Sequence, residues 1–134
     1  MSKPQVIWEL YKSLLKSKRF ADWGDLWSDH GVFEVAYPRG GVPEEKYKGR
    51  KDVVSFFSGS ADKIEIDFKD DVIHETTDPN VFFVTFEFNA NTINRYQYKN
   101  RIVSQITLEQ EKIKELIEYA DPIARQCFFK ELGV

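Results

Sequence analysis

From residue 64 to residue 120, apolar side chains recur at every second position, interrupted only by short turn sequences. That period dictates a sheet with one dry face. "KIEIDF" through "VIHET" reads as one long strand, bulged at Lys69-Asp70-Asp71 where the alternation lapses. "TDPN" is a turn, because Pro79 presets the backbone and Asn80 tolerates the bend. "VFFVTFEF", the turn "NANTIN" and the strand "RYQYKNRIVSQITL" follow, and "EQEK" turns the chain into "IKELIEYA".

In the strand over 95–108, Arg95, Gln97, Lys99, Arg101, Gln105 and Thr107 share a wet face. Tyr96, Tyr98, Ile102, Ile106 and Leu108 share the dry one, and Asn100 and Ser104 fall there too. A polar group buried without a partner costs roughly 2–7 kcal/mol. Neighbouring backbone can satisfy such short side chains. Two of them beside Tyr98 are better explained by a ligand or ordered water, so this face is expected to line a cavity. Glu87 alternates with Phe86 and Phe88 and is expected on the opposite side.

The first part of the chain has helical spacing. Ser2 and Pro4 start a helix whose stripe is Val6, Ile7, Leu10, Tyr11, Leu14 and Leu15. A second helix over 19–28 carries Phe20, Trp23, Leu26 and Trp27 and is expected to end at Gly31. "VFEVAY" is a strand grouping Phe33, Val35 and Tyr37, "PRGGVPEEKYKG" a loop, and "RKDVVSFF" a third helix. Asp121-Pro122 caps a last helix with Ile123, Cys127, Phe128 and Leu132 on one side. Helices first and hairpin-connected strands after make one α+β domain over 1–134. Helices laid across the hollow of a curved antiparallel sheet leave a pocket between the layers.

Net charge of −3 with no basic stripe gives no expectation of nucleic acid as a partner. Lys12, Lys16, Lys18 and Arg19 read as a solvated helix end that suits the helix dipole. The single cysteine, Cys127, cannot form an internal disulfide and is expected to be a small core residue. No apolar run approaches membrane-spanning length and the N-terminus lacks a signal-peptide core, so a cytoplasmic protein with no membrane partner is expected.

Several strings, in this order, resemble a known superfamily. "FADWGDLWSDHGVFEVAYP" is similar to the helix-then-strand segment of NTF2-like, cone-shaped α+β domains, and "YKGRKDVVSFF" to their short third helix. "YQYKNRIVSQITLEQEKIKELIEYADP" resembles their Tyr-x-Asn strand, turn and closing Glu-Tyr-x-Asp-Pro. The likeness spans nearly the whole chain and points to the SnoaL-like group related to ketosteroid isomerase. It implies a curved antiparallel sheet forming a cone, N-terminal helices across the concave face, and a homodimer.

By that resemblance Tyr11 stands where the isomerase places a tyrosine that donates to the developing oxyanion. Ser104 stands where it has a second donor, and Val35 where it has its aspartate base. A valine cannot move a proton, so that shuttle is absent. Phenazine-biosynthesis proteins of the superfamily are similar at "IEYADP" and use a glutamate there as an acid, which makes Glu118 the candidate. A carboxyl desolvated among aromatic rings is raised in pKa and can act near neutrality. The alternatives are a pair with an arginine or exposure at the sheet end.

His74 shares the alternate set of Ile64, Ile66, Phe68 and Val72 if no bulge shifts the register. It is expected to relay a proton or orient a ligand, or else to be a core imidazole held by a backbone carbonyl. His30 reads as a surface or capping residue. Two distant histidines make no metal site, and none is expected. Phe83, Thr85, Val103, Gln105, Ile113, Ile117 and Tyr119 give the outer face an apolar patch that a second copy would cover.

Two functions follow. The first is a SnoaL-like isomerase or cyclase acting without metal or cofactor on a flat, mostly apolar or polyketide-like molecule. In it Glu118, His74 and Tyr11 carry the catalysis, and Asn100, Ser104, Tyr98, Trp23, Trp27, Phe33, Val35, Tyr37 and Phe56 bind the ligand. The second is a non-catalytic ligand-binding or interaction domain on the same scaffold.

Overall fold

The computed structural model describes all residues, Met1–Val134. Helix α1 (Lys3–Lys16) opens on a reciprocal cap in which the Ser2 hydroxyl accepts from the Gln5 backbone and the Gln5 side chain accepts from the Ser2 N–H. Its buried stripe is Ile7, Trp8, Tyr11 and Leu15, whereas Val6 and Leu10 are exposed. The helix is tied to the sheet by charge as well. Lys12, Lys16 and Lys18 pair with Asp71, Asp67 and Glu65 along one strand edge, so they dock the helix instead of forming a freely solvated end.

Helix α2 (Phe20–Gly24) is shorter than its apolar spacing suggests, and Trp27 already begins strand β1 (Trp27–Val35). Gly31 does not end the helix; it lies inside the strand. A Cβ there would sit 2.9 Å from the Trp27 ring and 3.0 Å from the Ile113 carbonyl oxygen, so only glycine lets Trp27 fold over this irregular stretch. Strand β2 (Glu45–Lys48) pairs antiparallel with β1 in the segment expected to be a loop. Helix α3 (Arg50–Ser58) follows, then β3 (Ile64–Glu75), β4 (Val81–Thr92), β5 (Gln97–Glu109), β6 (Lys112–Tyr119) and α4 (Pro122–Leu132).

The six strands form one curled, unclosed sheet in the order β2-β1-β6-β5-β4-β3. It is mixed, since β1 and β6 run parallel and the remaining pairs are antiparallel. Register shifts interrupt β1, β3 and the β5–β6 pair, and such bulges bend and twist a sheet. The core lies between its concave face and α1, α2 and α3, around Trp8, Trp23, Trp27, Phe33, Phe82, Ile106 and Leu116.

Two of these bulges overturn expectations about which side chains face inward. In β3 the bulge falls at Lys69–Val72, with Asp70 in the left-handed region at φ 56°. Beyond it the faces exchange: Ile73 packs inward, Val72 is 51% exposed, and His74 is exposed on the convex face. The shift at Thr107/Leu108 likewise turns Ile113 into the core, so it is not part of the outer patch. Within the β3 bulge, Trp8 and Lys12 both donate to Asp71, at 2.8 and 2.6 Å. Burial alone would raise that carboxyl, but these donors outweigh it and hold it low.

Helix α4 is capped by the Asp121 carboxylate, which accepts from the Ile123 and Ala124 N–H groups. Its inward stripe is Arg125, Phe128 and Leu132. Ile123 is 73% exposed and Cys127 is exposed, so the cysteine is a surface thiol and not a core residue. No helix is long and apolar enough to cross a membrane.

Candidate ligand site

Between the concave sheet face, α1, α3 and α4 lies a cavity of about 140 Å³ that opens to solvent. An apolar cavity of similar size holds a benzene ring. Eleven of its lining residues are Phe or Tyr, which accounts for much of the chain's aromatic content. Apart from the phenols Tyr11 and Tyr98, its polar lining is Lys18, Ser60, Glu118 and Arg125.

Glu118 is placed by three strands. It sits on β6 opposite Ser104 of β5 and beside Val35 of β1, and its carbonyl oxygen accepts from the Ala36 N–H at 2.9 Å. The carboxyl keeps 17% of its surface accessible and makes no hydrogen bond, its nearest cation being the Arg125 guanidinium at 3.8 Å. Burial raises its pKa, the Arg125 charge opposes that, and the Glu45 anion adds to it. A carboxyl of this kind can hold or take a proton nearer neutrality than a free side chain.

Arg125 cannot fully neutralise Glu118, because it is engaged elsewhere. Its two terminal nitrogens donate to both oxygens of Glu45 at 2.7 and 2.8 Å, a bidentate pair whose side chains are only 5% and 6% exposed. Tyr47 also donates to Glu45, at 2.9 Å. Burial would raise the Glu45 carboxyl, but Arg125 outweighs it and holds it below its ordinary range. With Glu118 ionised, this buried group of two carboxylates and one guanidinium therefore carries one surplus negative charge.

Tyr11 stands in the same wall, and no hydrogen bond contributes to the state of its hydroxyl. Burial pushes its pKa well up and the Glu118 charge pushes it further, so it is a proton donor and not a phenolate. Tyr98 packs face to face on Phe128 at 4.2 Å, and its pKa is pushed up to about 12, chiefly by burial.

The candidates read from sequence separate clearly. Tyr11, Glu118, Tyr98, Phe33 and Phe56 line the cavity. Asn100 and Ser104 are buried on the inner face but lie behind the wall. Trp23, Trp27 and Val35 belong to the core beneath it, and both indole N–H groups there lack partners. Tyr37 is 56% exposed and packs edge-on against Tyr119 of the convex face, because the inward alternation ends with Val35. His74 bonds to Thr85 at 3.2 Å on that convex face and takes no part in the cavity. Arg125 was not foreseen. It recurs at the spacing of Phe128 and Leu132, a helical stripe passed over because its first member is charged. No group of three or more His, Cys, Asp or Glu side chains is placed to hold a metal ion.

No protein-family model matches the chain, and no curated protein matches it in sequence. Solved structures do match in fold. A candidate isomerase from Bacillus subtilis superposes with a TM-score of 0.84 at 18% identity, over 97% of this chain and 96% of that one. A phenazine biosynthesis-related protein from Pseudomonas aeruginosa gives 0.80 at 17% identity, over 93% and 79%. A Mycobacterium tuberculosis protein in complex with estradiol-17β-hemisuccinate gives 0.74 at 13%, over 88% and 93%. Further neighbours carry the names NTF2-like and SnoaL-like. The chain thus has the cone-shaped α+β fold of the NTF2-like, SnoaL-like proteins.

Proposed function

We propose that the protein binds a small, largely apolar ring compound and acts on it by general acid–base chemistry, without metal or cofactor. The observation that carries this reading is the Glu118 carboxyl, unbonded and desolvated in an aromatic cavity that also holds the Tyr11 hydroxyl. Glu118 takes a proton from a carbon next to a ligand carbonyl and returns it at another position, while Tyr11 donates to the carbonyl oxygen as charge develops there. Val35 fills the place that the resemblance gives to a base, and its register partner on the next strand is Glu118. A carboxyl is therefore available one strand over, about 4.8 Å away.

The size of the cavity limits the ligand to one or two fused rings unless the α4 rim moves. The complex of the Mycobacterium tuberculosis neighbour with estradiol-17β-hemisuccinate supports a ring compound as the ligand. Exchange of the acidic C–H protons of 2-tetralone in D2O, followed by NMR, tests the reading. The wild type accelerates exchange over buffer, and Glu118→Gln loses about 100-fold or more of that acceleration while its Kd stays within about twofold. Equal exchange in the variant contradicts the assignment and favours the non-catalytic binding domain.

The same reading covers the whole chain as one domain, cytoplasmic, and paired with a second copy through the convex face. Ile117, Gln105 and Phe83 form one row there and Tyr119, Val103 and Thr85 the next, without a full charge among them. Glu34, Glu115 and Arg101 stand around these rows, which suits an apolar centre with a charged rim.

A further inference from the structure

Asn100 is buried on the dry face of β5 and does not line the cavity, so its amide is accounted for by what it touches. Its Oδ1 accepts from the Asp121 backbone N–H at 3.1 Å. Its Nδ2 donates to the Asp121 carbonyl oxygen at 3.1 Å and to the Tyr98 hydroxyl oxygen at 2.7 Å. The backbone N–H and C=O of a single residue, Asp121, thus read the amide. Turning the amide over would set donor against donor and acceptor against acceptor, so its orientation is fixed by the backbone at the start of α4.

This fixes the polarity of the neighbouring phenol. The Tyr98 oxygen accepts a hydrogen bond from the Asn100 Nδ2–H, so its own proton points elsewhere, and no protein group accepts it. The ring cannot swing away, being stacked on Phe128 and set edge-on against Phe88. Tyr98 lines the cavity, within the influence of the Glu118 and Arg125 charges. Tyr11 lines the same wall, and no hydrogen bond contributes to the state of its hydroxyl.

We infer that Asn100 is a positioning residue: clamped between the backbone N–H and C=O of Asp121, it turns the Tyr98 hydroxyl proton into the cavity, where Tyr98 donates to an acceptor oxygen of the ligand. The ligand class that satisfies both phenols is a ring ketone or another ring compound with a carbonyl or phenolate oxygen. The inference rests on the reading of the cavity as a ligand site, but not on catalysis by Glu118.

The test compares 2-tetralone with tetralin, which has the same two rings and no acceptor oxygen, by calorimetric titration of the full chain. Wild type prefers the ketone by about tenfold, the value of one good hydrogen bond. Tyr98→Phe abolishes most of this preference. Asn100→Asp does the same, because its carboxylate accepts from the Asp121 N–H and also accepts the hydrogen bond of the Tyr98 hydroxyl, turning it away from the cavity. The double variant is no worse than Tyr98→Phe alone, since Asn100 acts through Tyr98. An Asn100→Asp variant that weakens both compounds equally, or keeps the ketone preference, overturns the inference, as does a Tyr98→Phe variant that keeps it. Binding of neither compound by wild type overturns the cavity reading as well, whereas loss of proton exchange with the preference intact touches only the role of Glu118.

Discussion

Replacing Arg125 by methionine removes one partner of the most buried ion pair in the molecule, and the consequence can be worked from its surroundings. The guanidinium holds both oxygens of Glu45 at 2.7 and 2.8 Å and joins strand β2 to helix α4, 80 residues apart in sequence. Without it, Glu45 keeps the Tyr47 hydroxyl as its hydrogen-bond partner and only the unbonded Arg39 charge besides, and a second carboxyl, Glu118, stands close by. An uncompensated buried charge of this kind costs about 3–5 kcal/mol. That is a large part of a stability of about 5–15 kcal/mol, and it lowers Tm by roughly 10–15 °C. Replacing both partners, Glu45→Leu with Arg125→Met, recovers most of the loss, because an apolar pair of similar size is about as stable as a buried ion pair.

Urea titration at pH 7, read by the emission of the core tryptophans Trp8, Trp23 and Trp27, measures both effects. The pH dependence has a definite sign. Glu45 is held below its ordinary value, so its contribution is present above the unfolded carboxylate pKa and is lost as the pH falls through the folded one. The gap between wild type and Arg125→Met therefore narrows in acid. A single variant that loses less than about 1 kcal/mol, or a double variant as unstable as the single one, refutes the reasoning.

Three further outcomes are expected. Glu118 has a raised pKa, so its contribution to stability is fully present below the ordinary carboxylate value and is lost as the pH rises through the folded one. Glu118→Gln is accordingly more stable than wild type at pH 8 and loses that advantage at pH 4; thermal melts that show the reverse contradict the burial argument. In the β5–β6 turn, Gln110 and Glu111 both have positive φ, at 51° and 64°. Glu111→Gly is expected to raise stability by about 1 kcal/mol in urea titration, and a loss would show that the turn is not strained. On the convex face, Val103→Arg is expected to leave the fold and ketone binding intact but to yield a monomer in analytical ultracentrifugation; a wild type that sediments as a monomer excludes the dimer.

The fold was legible wherever a period ran unbroken. The alternations over β4 and β5 and the Asp121-Pro122 cap follow directly from side-chain type. Inward and outward faces were lost at the bulges, because one inserted residue exchanges them: Asp70 moves His74 outside, and the shift near Thr107 moves Ile113 inside. Of the cavity lining, Tyr11, Tyr98 and Glu118 were legible, because they stand on regular elements. Arg125 and Glu45 escaped notice because each looks like a surface charge until β2 and α4 meet over the cavity. Asn100 and Ser104 were rightly singled out as polar groups on a dry face, but Asn100 answers to a peptide 21 residues away, a partner that no local spacing reveals.

The most direct measurement is the titration of the Glu118 side-chain carboxyl by 13C NMR, with and without 2-tetralone. A desolvated carboxyl in a ligand-binding cavity titrates above its ordinary value of 4.5 in the free protein and moves when the ketone enters. A carboxyl that titrates at or below that value, and does not respond to the ketone, contradicts the account.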